Sequence, residues 1–97
     1  MAKGYWVAHN QVTDVEAYEE YKIAAGPALR AYGAKFLVRD GAAEFPEDTL
    51  RPRTVVIEFP NLQAAQDCYT CETYQAAKAI REPASIGDIV IIEGYGN

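Results

Sequence analysis

The chain is poor in the residue types that most often carry enzymatic or metal chemistry, because its 97 residues include one histidine and two cysteines. Any acid–base catalysis by an imidazole would therefore have to use His9. A structural zinc site would need two more ligands of suitable spacing beside Cys68 and Cys71, and His9 is the only other soft ligand. No Ser-His-Asp arrangement, glycine-rich phosphate loop or cluster of metal-binding carboxylates is recognisable. The sequence gives no support to a hydrolase, nucleotide-binding or metalloenzyme function, and we expect neither a metal nor a cofactor.

Clusters of basic residues and long apolar stretches are missing as well. The 14 acidic and 9 basic residues give a net charge of −5 without any basic run, so nucleic acid is not an expected partner. No apolar stretch approaches the roughly 20 residues that span a bilayer, and a membrane is not an expected partner either. The first residues run directly into a strand pattern, which leaves no room for a signal peptide. We therefore expect a cytoplasmic protein with reduced cysteines.

What remains is the composition of an ordinary globular domain. Hydrophobic residues make up 49% of the chain and charged residues 24%, as in soluble proteins generally. A chain of this length forms one domain, 1–97, and is small enough for a subunit interface to add usefully to its stability.

The segment 54–59 is an apolar, β-branched run that ends at Pro60, and it predicts a central strand. One of its faces is wholly apolar, with Val55, Ile57 and Phe59, whereas the other is mixed. A strand of this kind belongs to a sheet that is covered on both sides. Something other than the chain's own helices is therefore expected to lie against the second face.

Four strands are predicted in all, at 5–12, 34–40, 54–59 and 88–95, and a loop at 83–87 precedes the last of them. With two helical segments between them, the order is β-α-β-β-α-β. Such a chain folds most readily as an α+β ferredoxin-like domain, with an antiparallel sheet in the order 4-1-3-2 and both helices on one face.

The predicted helices have recognisable ends. Thr13 begins a capping box at the start of the first helix, Pro27 is expected to kink it or to break it briefly, and Gly33 suits the position just after its end. Asn61 suits the N-cap of the second helix, which is expected to break once and to resume over 72–81.

Alternation of side chains divides the strands between two faces. The residues expected to pack under the helices are Trp6, Ala8, Phe36, Val38, Val55, Ile57, Phe59, Val90 and Ile92. The residues expected on the open face are Tyr5, Val7, His9, Leu37, Arg39, Thr54, Val56, Glu58, Ile89, Ile91 and Glu93. This second set is too apolar to be left in water, so we predict that two copies form a homodimer through their open sheet faces. The predicted contact residues are Tyr5, Val7, Leu37, Val56, Glu58, Ile89 and Ile91.

Several short motifs, in a fixed order, resemble the DUF1330 family over about residues 4–95. They are Tyr5-Trp6, Thr13-Asp-Val-Glu-Ala-Tyr18, Phe36-Leu-Val-Arg-Asp-Gly41, Arg51-Pro-Arg-Thr-Val-Val-Ile-Glu-Phe-Pro60, Cys68-Tyr-Thr-Cys-Glu-Thr-Tyr-Gln75 and Ile91-Ile-Glu-Gly94. The resemblance implies the dimeric α+β barrel superfamily, in which two ferredoxin-like subunits join their sheets. It implies no settled activity, although better-known relatives include cofactor-independent monooxygenases, lactone isomerases and haem enzymes. The chain departs from the family at Cys71-Glu-Thr-Tyr74, where related sequences have a proline that would fix the start of a helix.

Two groups of residues are candidates for a functional site. His9 is expected near Arg53 and Asp88, with Arg39 at the same end of the sheet, and such a cluster suits a small anionic or carbonyl substrate. The alternative is that His9 only forms a hydrogen bond at the dimer interface. The second group is a pocket of aromatic residues between helices and sheet, which suits an aromatic or quinone-like ligand. The predicted ligand-binding residues are Trp6, Tyr18, Tyr21, Arg39, Arg53, Tyr69 and Tyr74.

Each of these groups also has a purely structural interpretation. The tyrosines can be core residues whose hydroxyls reach the surface. Cys68 and Cys71 can be small buried residues rather than a redox pair, since a redox pair needs its first cysteine at a helix N-terminus.

The leading hypothesis is a homodimer that binds a small organic molecule, with cofactor-free isomerisation or oxygenation as the candidate chemistry. His9 would carry the proton, and Arg39 or Arg53 would hold an anionic group. The rival hypothesis is a dimer without catalytic activity. Both stay open at this point, and so does the question of whether the protein is an enzyme.

Overall fold

The computed structural model describes residues 2–47 and 51–96, and there the chain follows the predicted order of strands and helices. The second helical segment consists of two helices separated by one residue, and a short 3-10 turn precedes the last strand. The elements are β1 (Gly4–Val12), α1 (Val15–Ala31), β2 (Lys35–Arg39), β3 (Arg53–Phe59), α2 (Leu62–Thr70), α3 (Glu72–Arg81), the 3-10 turn Glu82–Ala84 and β4 (Ser85–Glu93).

The four strands form one antiparallel sheet in the order β2-β3-β1-β4, which confirms the predicted ferredoxin-like topology. The helices cover one face of it. Trp6 and Phe59 from the sheet share a buried core with Leu29 of α1, Ala65 of α2 and Tyr74 of α3. The core therefore lies between the sheet and the helical layer, and no helix of residues 2–47 or 51–96 covers the opposite face of the sheet.

The helix α1 differs from expectation at two points. Its N-cap is Asp14, whose carboxylate accepts a hydrogen bond from the amide of Ala17 at 3.2 Å, whereas the amide of Thr13 donates to the carbonyl of Ala84. Pro27 lies inside a helix that continues through it, so the brief break does not occur. The carbonyl that Pro27 leaves without a donor belongs to Ile23, which is 78% exposed, so water can satisfy it.

The other helix boundaries agree with the sequence. Gly33 has φ 75° just after α1, and the amide of Ala34 bonds to the carbonyl of Leu29 at 2.9 Å, which completes a Schellman motif. Asn61 caps α2 through the amide of Ala64. Cys71 lies between α2 and α3 and caps α3 with its sulfur, so this helix starts as predicted although the family's proline is missing.

The strand β4 begins three residues earlier than expected, because the 3-10 turn Glu82–Ala84 replaces most of the predicted loop and Ser85 already pairs with Val12. The faces of the sheet on which the β4 side chains lie were also predicted incorrectly. Ile89 pairs with Ala8 and Ile91 with Trp6, so both isoleucines pack under the helices and not in the open face. Since β4 has apolar residues at consecutive positions, its alternation carried no information about its facing.

Val90, 48% exposed, and Ile92, 50% exposed, lie instead on the open face. Glu93 pairs with Gly4 and so lies on the other side of the sheet from its predicted position.

A bulge in β2 places two further residues on the face of the sheet opposite to the predicted one. Phe36 pairs with Ile57, but the next pair is Val38 with Val56, so Leu37 is an extra residue in β2. Val38 therefore lies on the open face, and Arg39 lies on the helix side, where it pairs with Val55. The predicted turn at 46–48 falls partly outside the described residues.

The open face has a row of four valines that runs across all four strands. Val38 pairs with Val56, Val56 with Val7, and Val7 with Val90. We call these four residues the valine row. Two of them, Val38 and Val90, are 40% and 48% exposed. Exposed valines in adjacent positions form an apolar stripe that water covers poorly.

Candidate functional site

A cavity of about 300 Å³ lies between α1 and the helix-facing side of the sheet, and α3 borders one end of it. We call it the helix–sheet cavity. Every strand and both α1 and α3 contribute to its lining. Its volume is at the lower end of the range that is usual for sites of small organic ligands.

One wall of the helix–sheet cavity is aromatic. Trp6, Tyr18, Tyr21, Phe36 and Tyr74 all line it. The indole of Trp6 donates to the carbonyl of Ala65 at 2.9 Å and stands edge-on to the ring of Tyr74 at 4.8 Å. A fixed indole and a set of phenol rings favour a ligand with a flat, apolar body.

Two phenols of this wall form a buried pair. The hydroxyls of Tyr21 and Tyr74 are 2.9 Å apart and share one hydrogen bond. Burial raises the pKa of Tyr21 above its ordinary value, and burial together with the neighbouring Tyr21 raises the pKa of Tyr74. Both groups therefore stay protonated at neutral pH and act as neutral hydrogen-bonding groups.

The charged part of the lining is entirely cationic. Five of the chain's nine lysines and arginines line the helix–sheet cavity, and within the described residues no aspartate or glutamate does. These five are Lys22, Arg30, Arg39, Arg53 and Arg81. A chain whose net charge is −5 has thus collected much of its positive charge at one small site.

Three of these arginines rest on aromatic rings of the wall. The guanidinium of Arg39 lies 4.2 Å from the ring centroid of Phe36, that of Arg53 lies 5.1 Å from Tyr18, and that of Arg81 lies 5.6 Å from Tyr21. Ring contacts of this kind fix the planes of the guanidinium groups while leaving N–H groups available to another acceptor.

A small polar network connects the strands to α1 at this site. Asn10 pairs with Arg53 across β1 and β3, and it is buried, with 6% of its surface exposed. Its amide donates to the hydroxyl of Tyr18 at 2.9 Å, and the Nε of Arg53 approaches the same oxygen at 3.4 Å. Among the described residues, the Oδ1 of Asn10 and the Nε of Arg81 are buried without a hydrogen-bond partner.

The structure brings most of the predicted site residues together, though not all. The residues that line the helix–sheet cavity are Trp6, Tyr18, Tyr21, Arg39, Arg53 and Tyr74. Tyr69 lies outside this lining, where its ring contacts Trp6 edge-on and Tyr74 at a tilt. His9 lies on the open face, where its ring nitrogen is 4.0 Å from the carboxylate of Asp88. The sheet therefore separates His9 from the aromatic pocket.

Sequence reasoning missed four polar residues of the cavity: Asn10, Lys22, Arg30 and Arg81. Asn10 follows Trp6 and Ala8 at the two-residue step of a strand, and Arg81 is seven residues after Tyr74, which is two turns of a helix. Both periodicities were readable. The signal at Asn10 is weak because buried polar residues are uncommon, and the signal at Arg81 is weak because this residue ends its helix.

The two cysteines are free and differ in environment. Cys68 is fully buried, and its sulfur lies 3.7 Å from the carbonyl of Ala28. Burial, with a smaller effect of Cys71, raises the pKa of the Cys68 thiol to about 12. Cys68 is consequently a poor nucleophile near neutral pH.

Within residues 2–47 and 51–96, no cluster of three or more histidine, cysteine, aspartate or glutamate side chains could hold a metal ion. Over the same residues, no helix has both the length and the apolar character needed to cross a membrane.

The fold and the site define an α+β domain of ferredoxin-like topology, with a cavity between its helices and its sheet. The family model of the domain of unknown function DUF1330 matches residues 3–95, and the chain belongs to this family. No curated protein matches the sequence.

Solved structures of similar fold come from several bacteria. RPA0582 of Rhodopseudomonas palustris, a protein of unknown function, is 18% identical, with a TM-score of 0.71 over 96% of this chain and 81% of its own. SnoaB of Streptomyces nogalater, a cofactor-independent oxygenase, is 9% identical, with a TM-score of 0.67 over 100% and 97%. A dimeric ferredoxin-like protein of unknown function from Thermobifida fusca is 18% identical, with a TM-score of 0.59 over 96% and 90%. Similarity at this level of identity establishes the fold alone.

Proposed function

We propose that the protein is a homodimer in which each subunit binds a small organic molecule in its helix–sheet cavity. The observation that carries this proposal is the cavity of about 300 Å³ beside a fixed indole, with polar groups converging on it. A well-packed core of a small domain has no such opening, because voids larger than a water molecule are few and costly. The combination of an aromatic wall and a few placed polar groups is typical of ligand sites.

The homodimer rests on the open face of the sheet. The valine row crosses this face, and Tyr5 and Glu58, joined by a hydrogen bond of 3.3 Å, lie beside it. An apolar stripe of this kind is stable when a second, identical stripe covers it. The similar protein of T. fusca is described as dimeric, which agrees with this assembly.

The candidate chemistry is isomerisation or oxygenation without a cofactor, in line with the activity printed for SnoaB. In the helix–sheet cavity, the candidate proton carrier is the hydroxyl of Tyr18, since it accepts from Asn10 and Arg53 and keeps its own proton for a ligand. A catalytic role for His9 requires instead a substrate at the dimer interface, next to Asp88.

The proposal is tested by filling the cavity. Ala25 projects from α1 into its lining, so Ala25→Leu adds three carbon atoms to the empty space. We expect the folded protein to tolerate the change, and we expect small molecules that are released from the purified protein on denaturation, and identified by mass spectrometry, to disappear. Ala31→Leu is the matched control, because Ala31 is an exposed residue of the same helix. Release of the same compounds from both variants would contradict the proposal.

The second candidate function is a dimer that only serves assembly, and the valine row is the observation that favours it. Under this hypothesis, the wild-type protein releases no compound and its crystal structure shows a helix–sheet cavity that holds only water. Unexplained density against Trp6 and Tyr18 would instead support a ligand.

A further inference from the structure

The positive charge of the helix–sheet cavity indicates which class of ligand it binds. We infer that the ligand is an organic carboxylate with a flat apolar body, whose carboxylate is bound by Arg53 and Arg39 and whose body lies against Trp6. This inference rests on the proposed function and specifies the substrate class of the same site.

The first step is that the arginines of the cavity lining have no carboxylate partner among the described residues. Of the cations in the lining, Lys22 has a carboxylate partner, Glu19, at 2.7 Å. Within the described residues, no salt bridge reaches Arg30, Arg39, Arg53 or Arg81. Arg53 and Arg81 are half-buried, and guanidinium groups in such positions normally have carboxylate partners in the protein. Here the missing partner is best supplied by an anionic ligand.

The second step is the hydrogen-bonding capacity that the site leaves unused. The hydroxyl of Tyr18 accepts from Asn10 at 2.9 Å and from Arg53 at 3.4 Å, so its own proton has no acceptor among the described residues. The Nε of Arg81 is a buried donor without a partner, and the Oδ1 of Asn10 is the one buried acceptor of the described lining without a partner. Unused donors at the wall of a cavity favour a ligand that brings acceptor oxygens, and a carboxylate brings two.

The third step places the carboxylate. Arg53 and Arg39 come from neighbouring strands, since Arg39 pairs with Val55, two residues from Arg53 on the same face of the sheet. Both guanidinium groups are held by rings, those of Tyr18 and Phe36. The indole of Trp6 lies farther along β1 in the same lining. A ligand with its carboxylate between the arginines therefore extends its apolar body toward Trp6.

The test compares carboxylates with amides of the same shape. Benzoate, cinnamate and 3-phenylpropanoate, each with its uncharged amide, are titrated into the full chain by calorimetry. Fluorescence of Trp6, the only tryptophan, serves as the readout of occupancy. We expect each carboxylate to bind about tenfold to a hundredfold more tightly than its amide, as is usual for hydrogen bonds to a charged group.

Variants then show which arginine causes the preference for carboxylates over amides. In Arg53→Gln the preference for the carboxylate should fall to less than about threefold, while the affinity for the amide stays the same. Arg51→Gln is the matched control: it removes the same charge from an exposed residue that pairs with Asp88 outside the cavity, and it should keep the full preference. Arg39→Gln, on the exposed edge strand, gives a second test in case Arg53→Gln does not fold.

The outcomes separate the two proposals. Equal binding of carboxylates and amides, abolished by Ala25→Leu, would overturn the carboxylate inference and leave the proposed ligand site intact. A preference for carboxylates that survives in both Arg53→Gln and Arg39→Gln would also overturn it. Binding of neither series to the wild-type protein would count against the inference and the proposed function together.

Discussion

Replacing Val7 by lysine is expected to separate the proposed dimer without unfolding its subunits. Val7 lies in the middle of the valine row, between Val56 and Val90. It is half-buried and on the open face, so the ammonium group of a lysine at this position reaches water in an isolated subunit. In the dimer, the same group would be enclosed between two sheets.

The expected loss of dimerisation free energy follows from the burial of Val7 and from the twofold symmetry of the interface. Covering a half-buried valine contributes about 1 kcal/mol, since complete burial of its side chain contributes about 1.5–3 kcal/mol. Enclosing an unpaired ammonium group adds a cost that we take as about 2 kcal/mol per subunit. A twofold interface contains the substitution twice, so the loss is about 6 kcal/mol, and the dissociation constant should rise by about four orders of magnitude.

Sedimentation velocity over a dilution series measures this dissociation constant, and urea unfolding of the dissociated variant checks that its subunit still folds. Val15→Lys is the matched control. Val15 is 68% exposed at the start of α1, away from the open face, so this variant should remain dimeric. A Val7→Lys protein that dimerises as tightly as the wild type would refute the assignment of the open face as the interface.

Two further predictions concern titrating groups. At about pH 8 an aromatic disulfide reagent should label Cys71 in the native protein and both cysteines only after denaturation, because burial raises the pKa of Cys68 to about 12; equal labelling of both thiols in the native protein would contradict this. Stability should fall above about pH 10, because the buried Tyr21 and Tyr74 keep their protons in the folded state, where their pKa values are raised, while the unfolded chain releases them. Urea unfolding between about pH 9 and about pH 11 should show a smaller loss in Tyr74→Phe than in the wild type, and identical losses would refute the role of the phenol pair.

The end of α1 and the start of α2 were predictable because local chemistry determines them. Gly33 adopts a backbone conformation that other residues avoid, and Asn61 supplies an acceptor where the first amides of α2 need one. The central strand was recognisable because its alternation of apolar and mixed positions survives in the structure, with Val55, Ile57 and Phe59 all buried.

The facing of the outer strands could not be predicted in the same way. β4 is apolar at consecutive positions, so its sequence does not show which side chains face the helices. The pairing of Ile89 with Ala8 decides this, and the turn before the strand determines that pairing. In β2 the alternation of side chains between the two faces is interrupted at Leu37. Nothing in the local composition marks a bulge at this residue, since neither glycine nor proline is present.

This bulge has a direct consequence for the two proposed functions. Each strand presents alternate residues to the helix–sheet cavity and to the open face, so Trp6 and Val7 serve different surfaces although they are neighbours in sequence. Regular alternation from Phe36 would place Val38 under the helices and Arg39 on the open face. The extra residue Leu37 exchanges them. It completes the valine row with an apolar side chain, keeps an unpaired guanidinium group out of the proposed interface, and adds that group to the cations of the cavity.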